Sequence, residues 1–187
     1  MSMPLQATID AFAASVPCSF EEAYRDYAQV AARWAKQLGG TTVDSEDVVQ
    51  EVFLVVNRRL SSFRGDACFS SWLFEITRKI VANHRRRQRW RFWLSGSRED
   101  LANTPSDLRD PLAELERRRA GAVIYQSLDK LPEKYRTVLV LFEIEGLSTQ
   151  EIADLCQVKL PTVRVQLHRA RDLFLARYQQ IIKKGKS

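Results

Sequence analysis

Apolar side chains recur along most of this chain at intervals of three and four residues, and no segment alternates apolar with polar as a half-buried strand does. Over residues 20–38, "FEEAYRDYAQVAARWAKQL", that spacing sets Phe20, Tyr24, Tyr27, Ala31 and Trp34 on one helical face, and Gly39 and Gly40 end the run. Asp44 is placed as an N-cap for "SEDVVQEVFLVVNRRL". Acids crowd its first turn and arginines its last, as the helix dipole favours. The inner face of that helix is Val48, Val49, Val52, Phe53, Val56 and Leu60. A break, "SSFRGDAC", leads to a third helix with Trp72, Leu73, Ile76 and Ile80 on one side. Arg78, Lys79, Asn83, Arg86 and Arg87 crowd the remainder. Residues 94–111, "LSGSREDLANTPSDLRDP", are polar and punctuated by Gly and Pro, which reads as a linker. Helical spacing resumes in "LAELERRRAGAVIYQSLDKL", "PEKYRTVLVLFEIEG", "STQEIADLC" and "LPTVRVQLHRARDLFLARYQQII".

The pattern predicts an all-α protein of two small helical domains joined by a flexible linker. Its parts are an N-terminal extension (1–19), a first domain (20–93), the linker (94–111), a second domain (112–180) and a basic tail (181–187). A length of 187 residues, 45% apolar and 28% charged, suits such a folded chain rather than a disordered one.

Charge changes the picture. Lys and Arg total 29 against 23 Asp and Glu, a net charge of +6 that is moderate in size but clustered. The densest cluster is "ANHRRRQRWRFW", where arginines are interleaved with aromatic rings. Such a run is either a solvated face or a grip on a polyanion that carries stackable bases.

A sharper signal lies in residues 148–173. Ser148 and Glu151 form an S-x-x-E capping box, and Ile152, Ala153 and Leu155 point inward. After the turn "CQVKL", Pro161 sits where a helix begins, because no N–H is needed there. The next helix buries Val163, Leu167, Ala170 and Phe174 and offers Arg164, Val165, His168, Arg169 and Arg171 outward. Two short helices on a tight turn, the second basic outside, predict a helix-turn-helix with its second helix in the major groove. Val165 amid arginines suits a thymine methyl contact, or is an incidental surface valine.

Other chemistries find little support. The three cysteines, Cys18, Cys68 and Cys156, have no spacing for a disulfide framework or a zinc site, and only two histidines accompany them. We expect reduced thiols, no metal and no cofactor. HExxH, GxxxxGK[ST] and clustered acids for two metals are not found, so an enzyme is not expected. No apolar run approaches a membrane span, and the first twenty residues lack the basic start of a secretory signal, which predicts a cytoplasmic protein.

Two long segments carry a family resemblance. "DSEDVVQEVFLVVNRRLSSFRGDACFSSWLFEITRKIVANHRRRQR" and, beyond the linker, "LPEKYRTVLVLFEIEGLSTQEIADLCQVKLPTVRVQLHRARDLF" resemble an extracytoplasmic-function sigma factor of the sigma-70 superfamily, in the family's order and spacing. The resemblance implies that domain 20–93 is sigma region 2 and domain 112–180 sigma region 4. It implies a subunit without catalysis of its own that binds bacterial core RNA polymerase, through the clamp helices of the largest subunit and the flap. That subunit recognises the −35 and −10 promoter elements and melts the latter.

Residue by residue, the resemblance makes Asp47, Gln50, Glu51, Phe53 and Asn57 candidate polymerase contacts. Phe63, Arg64 and Asp66 fall in the loop that captures a flipped −10 base, although Asp66 serves equally well as a helix N-cap. Lys79, Asn83, Arg86 and Arg87 would meet the −10 duplex edge, with the arginines on phosphates. Trp90, Phe92 and Trp93 either stack on single-stranded bases or pack against the first domain. Arg164, Val165, Gln166, His168 and Arg169 match the −35 reading positions, with Thr162 and Arg171 on phosphates. Many relatives carry Gly where this chain has Gln157 and Pro161, and Ser-Arg where it has Val165 and Gln166, side chains that set the −35 base preference. The resemblance further implies a monomer when free, nucleoid association when bound to polymerase, and an anti-sigma partner that can hold it at the membrane. The rival reading is a stand-alone helix-turn-helix regulator that binds operator DNA without polymerase.

Overall fold

A computed structural model describes residues 17–40, 43–65, 67–95 and 111–185. The N-terminal extension before residue 17, Asp66, the linker over 96–110 and the last two residues of the tail lie outside the described residues, as do the side chains of Phe92 and Trp93. Among the described residues, seven helices follow one another: α1 (Phe20–Gly39), α2 (Ser45–Arg59), α3 (Phe69–Ser95), α4 (Pro111–Asp129), α5 (Glu133–Glu143), α6 (Thr149–Cys156) and α7 (Leu160–Gly185). A single 3-10 turn, Leu60–Ser62, extends α2, and no strand occurs among the described residues.

Local chemistry sets the ends of these helices. Ser19 Oγ accepts the Glu22 N–H at the start of α1, and Asp44 Oδ1 accepts the Glu46 N–H at 2.8 Å at the start of α2. The α1–α2 turn needs its glycines for two reasons. Gly40 has φ +72°, and a Cβ on Gly39 would meet Val43 Cβ at 2.8 Å.

Helices α1, α2 and α3 pack on one another as the first module. Its centre holds Trp34, Leu38, Val48, Val52, Val56, Leu73, Phe74 and Val81, with the Trp34 and Phe74 rings edge to face at 5.0 Å. Each fully buried side chain of this kind contributes roughly 1.5–3 kcal/mol. Tyr24 departs from the expected inner face. It is 49% exposed and lies edge-on against Phe53 at 4.8 Å, while Ala23 and Val30 join the expected Tyr27 in the core.

Helices α4, α5 and α6 pack against α7 to form the second module. Val138, Leu139, Val140 and Leu141 of α5 are all buried, which no single-sided amphipathic helix requires. The reason is a second neighbour. The modules lie against each other, α1 on α5 and α3 on α6, so α5 is covered on both flanks.

Candidate nucleic-acid interface

The basic half of α3 is an extension of a core helix. Phe69, Leu73, Ile76, Ile80 and Val81 anchor it, and the helix then runs on to Ser95 as the anchor residues give way to arginines. Lys79, Asn83, Arg86 and Arg87 are exposed along the outward side. Arg86 donates to Asn83 Oδ1 at 3.1 Å, and Lys79 pairs with Glu75 at 3.1 Å. Glu75 also accepts a bidentate grip from Arg78. Partial burial works to raise the Glu75 pKa, but the bonds from Arg78 and Lys79 outweigh it and hold the carboxyl below its ordinary value.

Beside this helix, the loop after α2 presents Arg64 to solvent and folds Phe63 inward. The Phe63 ring meets Trp72 at 5.1 Å and Phe69 at 5.6 Å, so it is a half-buried member of an aromatic cluster rather than a free stacking plate. The exposed Arg64 stands next to that cluster.

On α2, Asp47, Gln50 and Asn57 are exposed and fall on one stripe with Leu54, which is 56% exposed. Leu54 was hidden from pattern reading inside the apolar run "VFLVV". Phe53 requires correction as a partner contact. It is only 3% exposed and its ring supports Phe20 and Tyr24, so its role is to shape the surface from below. Glu51 turns away from the stripe towards α3, at 3.3 Å from His84 Nε2 and 3.8 Å from Arg87.

In the second module, Ser148 and Glu151 form the full capping box at the start of α6. Gln157 ends that helix in the left-handed conformation at φ +53°, its N–H reaching the carbonyls of Ala153 and Asp154. Helix α7 then starts with Pro161 as its second residue. Val163, Leu167 and Ala170 are buried against the module. Thr162, Arg164, Val165, His168, Arg169 and Arg171 are exposed, and Gln166 is half-buried. Val165 is 51% exposed among these cations.

Not every cation on α7 is free. Arg171 makes a two-nitrogen contact with Glu143 Oε1 at 2.8 and 2.9 Å and lies over the Phe142 ring, bracing α7 to α5. His168 Nδ1 stands 3.1 Å from Asp172. A hydrogen bond from Arg169, with help from Lys134, lowers the Tyr135 pKa. Arg164 and His168 therefore face the open groove that Thr149, Leu167, Arg171 and Asp172 complete.

Two further arginines escaped sequence reading. Arg85 of α3 and Arg136 of α5 are 4% and 0% exposed, and both meet Asp129 at the end of α4. Burial, with repulsion from Arg85, brings the Arg136 pKa down to about 10, so it stays cationic at neutral pH. Of the cysteines, Cys18 and Cys68 are exposed. Burial pushes the Cys156 thiol up to about 12, which keeps it protonated and inert as a nucleophile. Among the described residues, no helix is long and apolar enough to cross a membrane.

Comparison with known proteins bears on both modules. Residues 23–91 match the model of sigma-70 region 2, and residues 122–173 match that of sigma-70 region 4. The chain is 33% identical over 148 residues to the RNA polymerase sigma-H factor of Pseudomonas aeruginosa, covering 76% of this chain and 77% of that protein. It is 32% identical over 154 residues to the ECF RNA polymerase sigma-E factor of Escherichia coli, covering 75% and 77%. Identity to the ECF RNA polymerase sigma factor SigE of Mycolicibacterium smegmatis is 36% over 154 residues, 82% of this chain but 59% of that longer protein. Among solved structures, the sigma factor RpoE in complex with the anti-sigma factor NepR from Bartonella quintana superposes with a TM-score of 0.55 at 22% identity. That match covers 88% of this chain and 96% of the other, and it speaks for the fold.

Proposed function

This chain belongs to the ECF sigma factors of the sigma-70 family, and from that premise we propose that it directs transcription initiation by bacterial core RNA polymerase. The observation that carries the reading is the pairing of two exposed basic helical faces, one on α3 and one on α7, each on its own module and each within a matching sigma region.

Each exposed face takes one part of this task. The α2 stripe of Asp47, Gln50, Leu54 and Asn57 docks on the polymerase clamp, with Phe53 and Glu51 holding the helix from behind. The second module engages the flap. Lys79, Asn83, Arg86 and Arg87 take the −10 duplex edge, where each neutralised phosphate releases counterion and makes binding salt-dependent. Arg64 and the Phe63–Trp72 cluster receive the base that leaves the stack. Unstacking costs a few kcal/mol, which contacts to the unpaired strand can offset with no chemical step. Thr162, Arg164, Val165, Gln166, His168 and Arg169 read the −35 element from the major groove. Arg171 reaches a phosphate only by leaving Glu143, an exchange that is cheap because both groups are half exposed. The chain has no catalytic activity of its own, works in the cytoplasm and is held in check by an anti-sigma protein.

Run-off transcription with core polymerase on a randomised promoter library tests this. Initiation at start sites preceded by two enriched boxes is expected, and none without the chain. No initiation, with tight binding to one duplex in the absence of polymerase, would replace the proposal with the stand-alone regulator.

A further inference from the structure

The arginine run on α3 is not uniformly exposed. Arg86, Arg87 and Arg89 reach solvent, whereas Arg85 among them is 4% exposed and faces the second module. Its guanidinium is held by two carboxylates from that module, Asp129 at 3.2 Å and Glu133 at 2.8 Å. Asp129 Oδ1 is shared with Arg136 at 3.1 Å, and Arg136 Nε crosses back to donate to the Leu38 carbonyl at 2.9 Å. Two anions of the second module thus hold two cations at the junction, Arg85 from the first module and Arg136 from the second. Nearby, Ser71 Oγ donates to the Asp154 carbonyl, placing α6 over the earlier part of α3.

A paired-oxygen grip on an arginine is the same chemistry that a phosphodiester offers. Arg85 also has the right neighbours for that role. Arg78, seven residues before it and paired with Glu75, and the exposed Arg89, four residues after it, lie on the same side of the helix. In the observed arrangement the second module covers Arg85, the middle one of the three.

The arrangement also has the wrong dimensions for a promoter. Boxes centred near −10 and −35 lie about 25 base pairs apart, or roughly 85 Å at 3.4 Å per pair. The described residues, packed as one body, have a radius of gyration of about 15 Å and are about 40 Å across. That body must open to reach both.

We propose that Asp129 and Glu133 act as an internal substitute for DNA phosphates, masking Arg85, a further phosphate contact of the α3 basic face, in a closed conformer that cannot span a promoter. The inference rests on the sigma-factor reading for its DNA partner. A buried ionic junction suits such a device, since desolvation cancels much of its Coulombic gain and leaves the closed state near balance. Opening then frees Arg85 at the step when DNA replaces the carboxylates.

The full-length chain is compared with Asp129→Asn/Glu133→Gln, with Arg85→Ala, and with the triple variant. Radius of gyration is read by small-angle scattering, and affinity for duplex DNA by fluorescence anisotropy across a salt series. The double variant should enlarge the particle, tighten DNA about tenfold at 0.1 M salt and steepen the salt slope by about 0.9. Arg85→Ala should enlarge it with no gain in DNA affinity, and the triple variant should lose the double variant's gain. Glu133→Gln alone keeps the Asp129–Arg136 pair and serves if the double variant does not fold. Folded variants with unchanged radius and affinity would overturn the proposal. So would a triple variant that keeps the full gain, because removal of negative charge would then explain it. The scattering needs neither polymerase nor promoter, so it judges the closed conformer even if the transcription assay defeats the functional reading.

Discussion

Gln157 holds a backbone conformation that L side chains adopt at a cost of about 1–2 kcal/mol, part of which glycine would return as extra freedom in the unfolded chain. Gln157→Gly should therefore stabilise the second module, by about 0.5–1 kcal/mol in denaturant unfolding, with DNA affinity changed little. A loss of stability would mean that the glutamine side chain holds the turn in some other way. A second residue acts against the DNA face. Asp172 sits one turn from His168 on α7 and sets a negative charge beside the side chains proposed to read bases. Asp172→Asn should tighten binding to matched and scrambled duplexes alike, by about threefold at 0.1 M salt, with the difference fading as screening shortens the reach of the charge. A gain confined to the matched sequence would instead assign His168 and Asp172 a joint part in base reading.

On helix α2 the exposed leucine matters more than its acidic neighbours. Leu54→Ala removes an apolar side chain from the centre of a polar stripe, the usual make-up of an interface anchor. It should weaken core polymerase binding about tenfold, measured by competition with the wild-type chain, and change unfolding stability by less than about 0.5 kcal/mol. Unaltered affinity would move the docking surface elsewhere. Leu54 also marks where sequence reading stops at the scale of an element. The ends of the helices were legible because Asp44, Gly40, Ser148 with Glu151, and Pro161 act on backbone groups a few residues away. The exposed basic faces of α3 and α7 were legible for the same local reason. Inside "VFLVV" periodicity allows several residues to be inner, and only the packed neighbours decide that Phe53 is covered while Leu54 is not. Arg85 and Arg136 were illegible for a stronger reason. Their partners Asp129 and Leu38 lie 44 and 98 residues away, and a pattern rule assigns any arginine on an amphipathic helix to solvent.

For the whole molecule, the junction between modules carries a titratable group whose sign can be worked out. Glu145, just past the end of α5, is buried and paired with Arg33 of α1 at 2.7 Å. Burial raises its pKa and the Arg33 guanidinium only partly offsets this, so the closed body favours the protonated carboxyl more than an open body does. A carboxyl raised in the closed state contributes fully below its open-state pKa, and that contribution is lost as pH rises through the closed-state value. The closed form should thus loosen on going from the acidic side of the carboxylate range to neutrality. Glu75 also titrates, but Arg78 and Lys79, which lower its pKa, lie on its own helix, so the contribution it loses in acid belongs to α3 in either arrangement. The observable is therefore a difference. The radius of gyration of the wild-type chain should increase between about pH 4 and 7 relative to Glu145→Gln, whose junction holds no titrating group at that position. Parallel curves for the two proteins would show that Arg33 compensates the buried charge in full, and that the modules are held together by the Arg85 and Arg136 contacts and the apolar flank of α5.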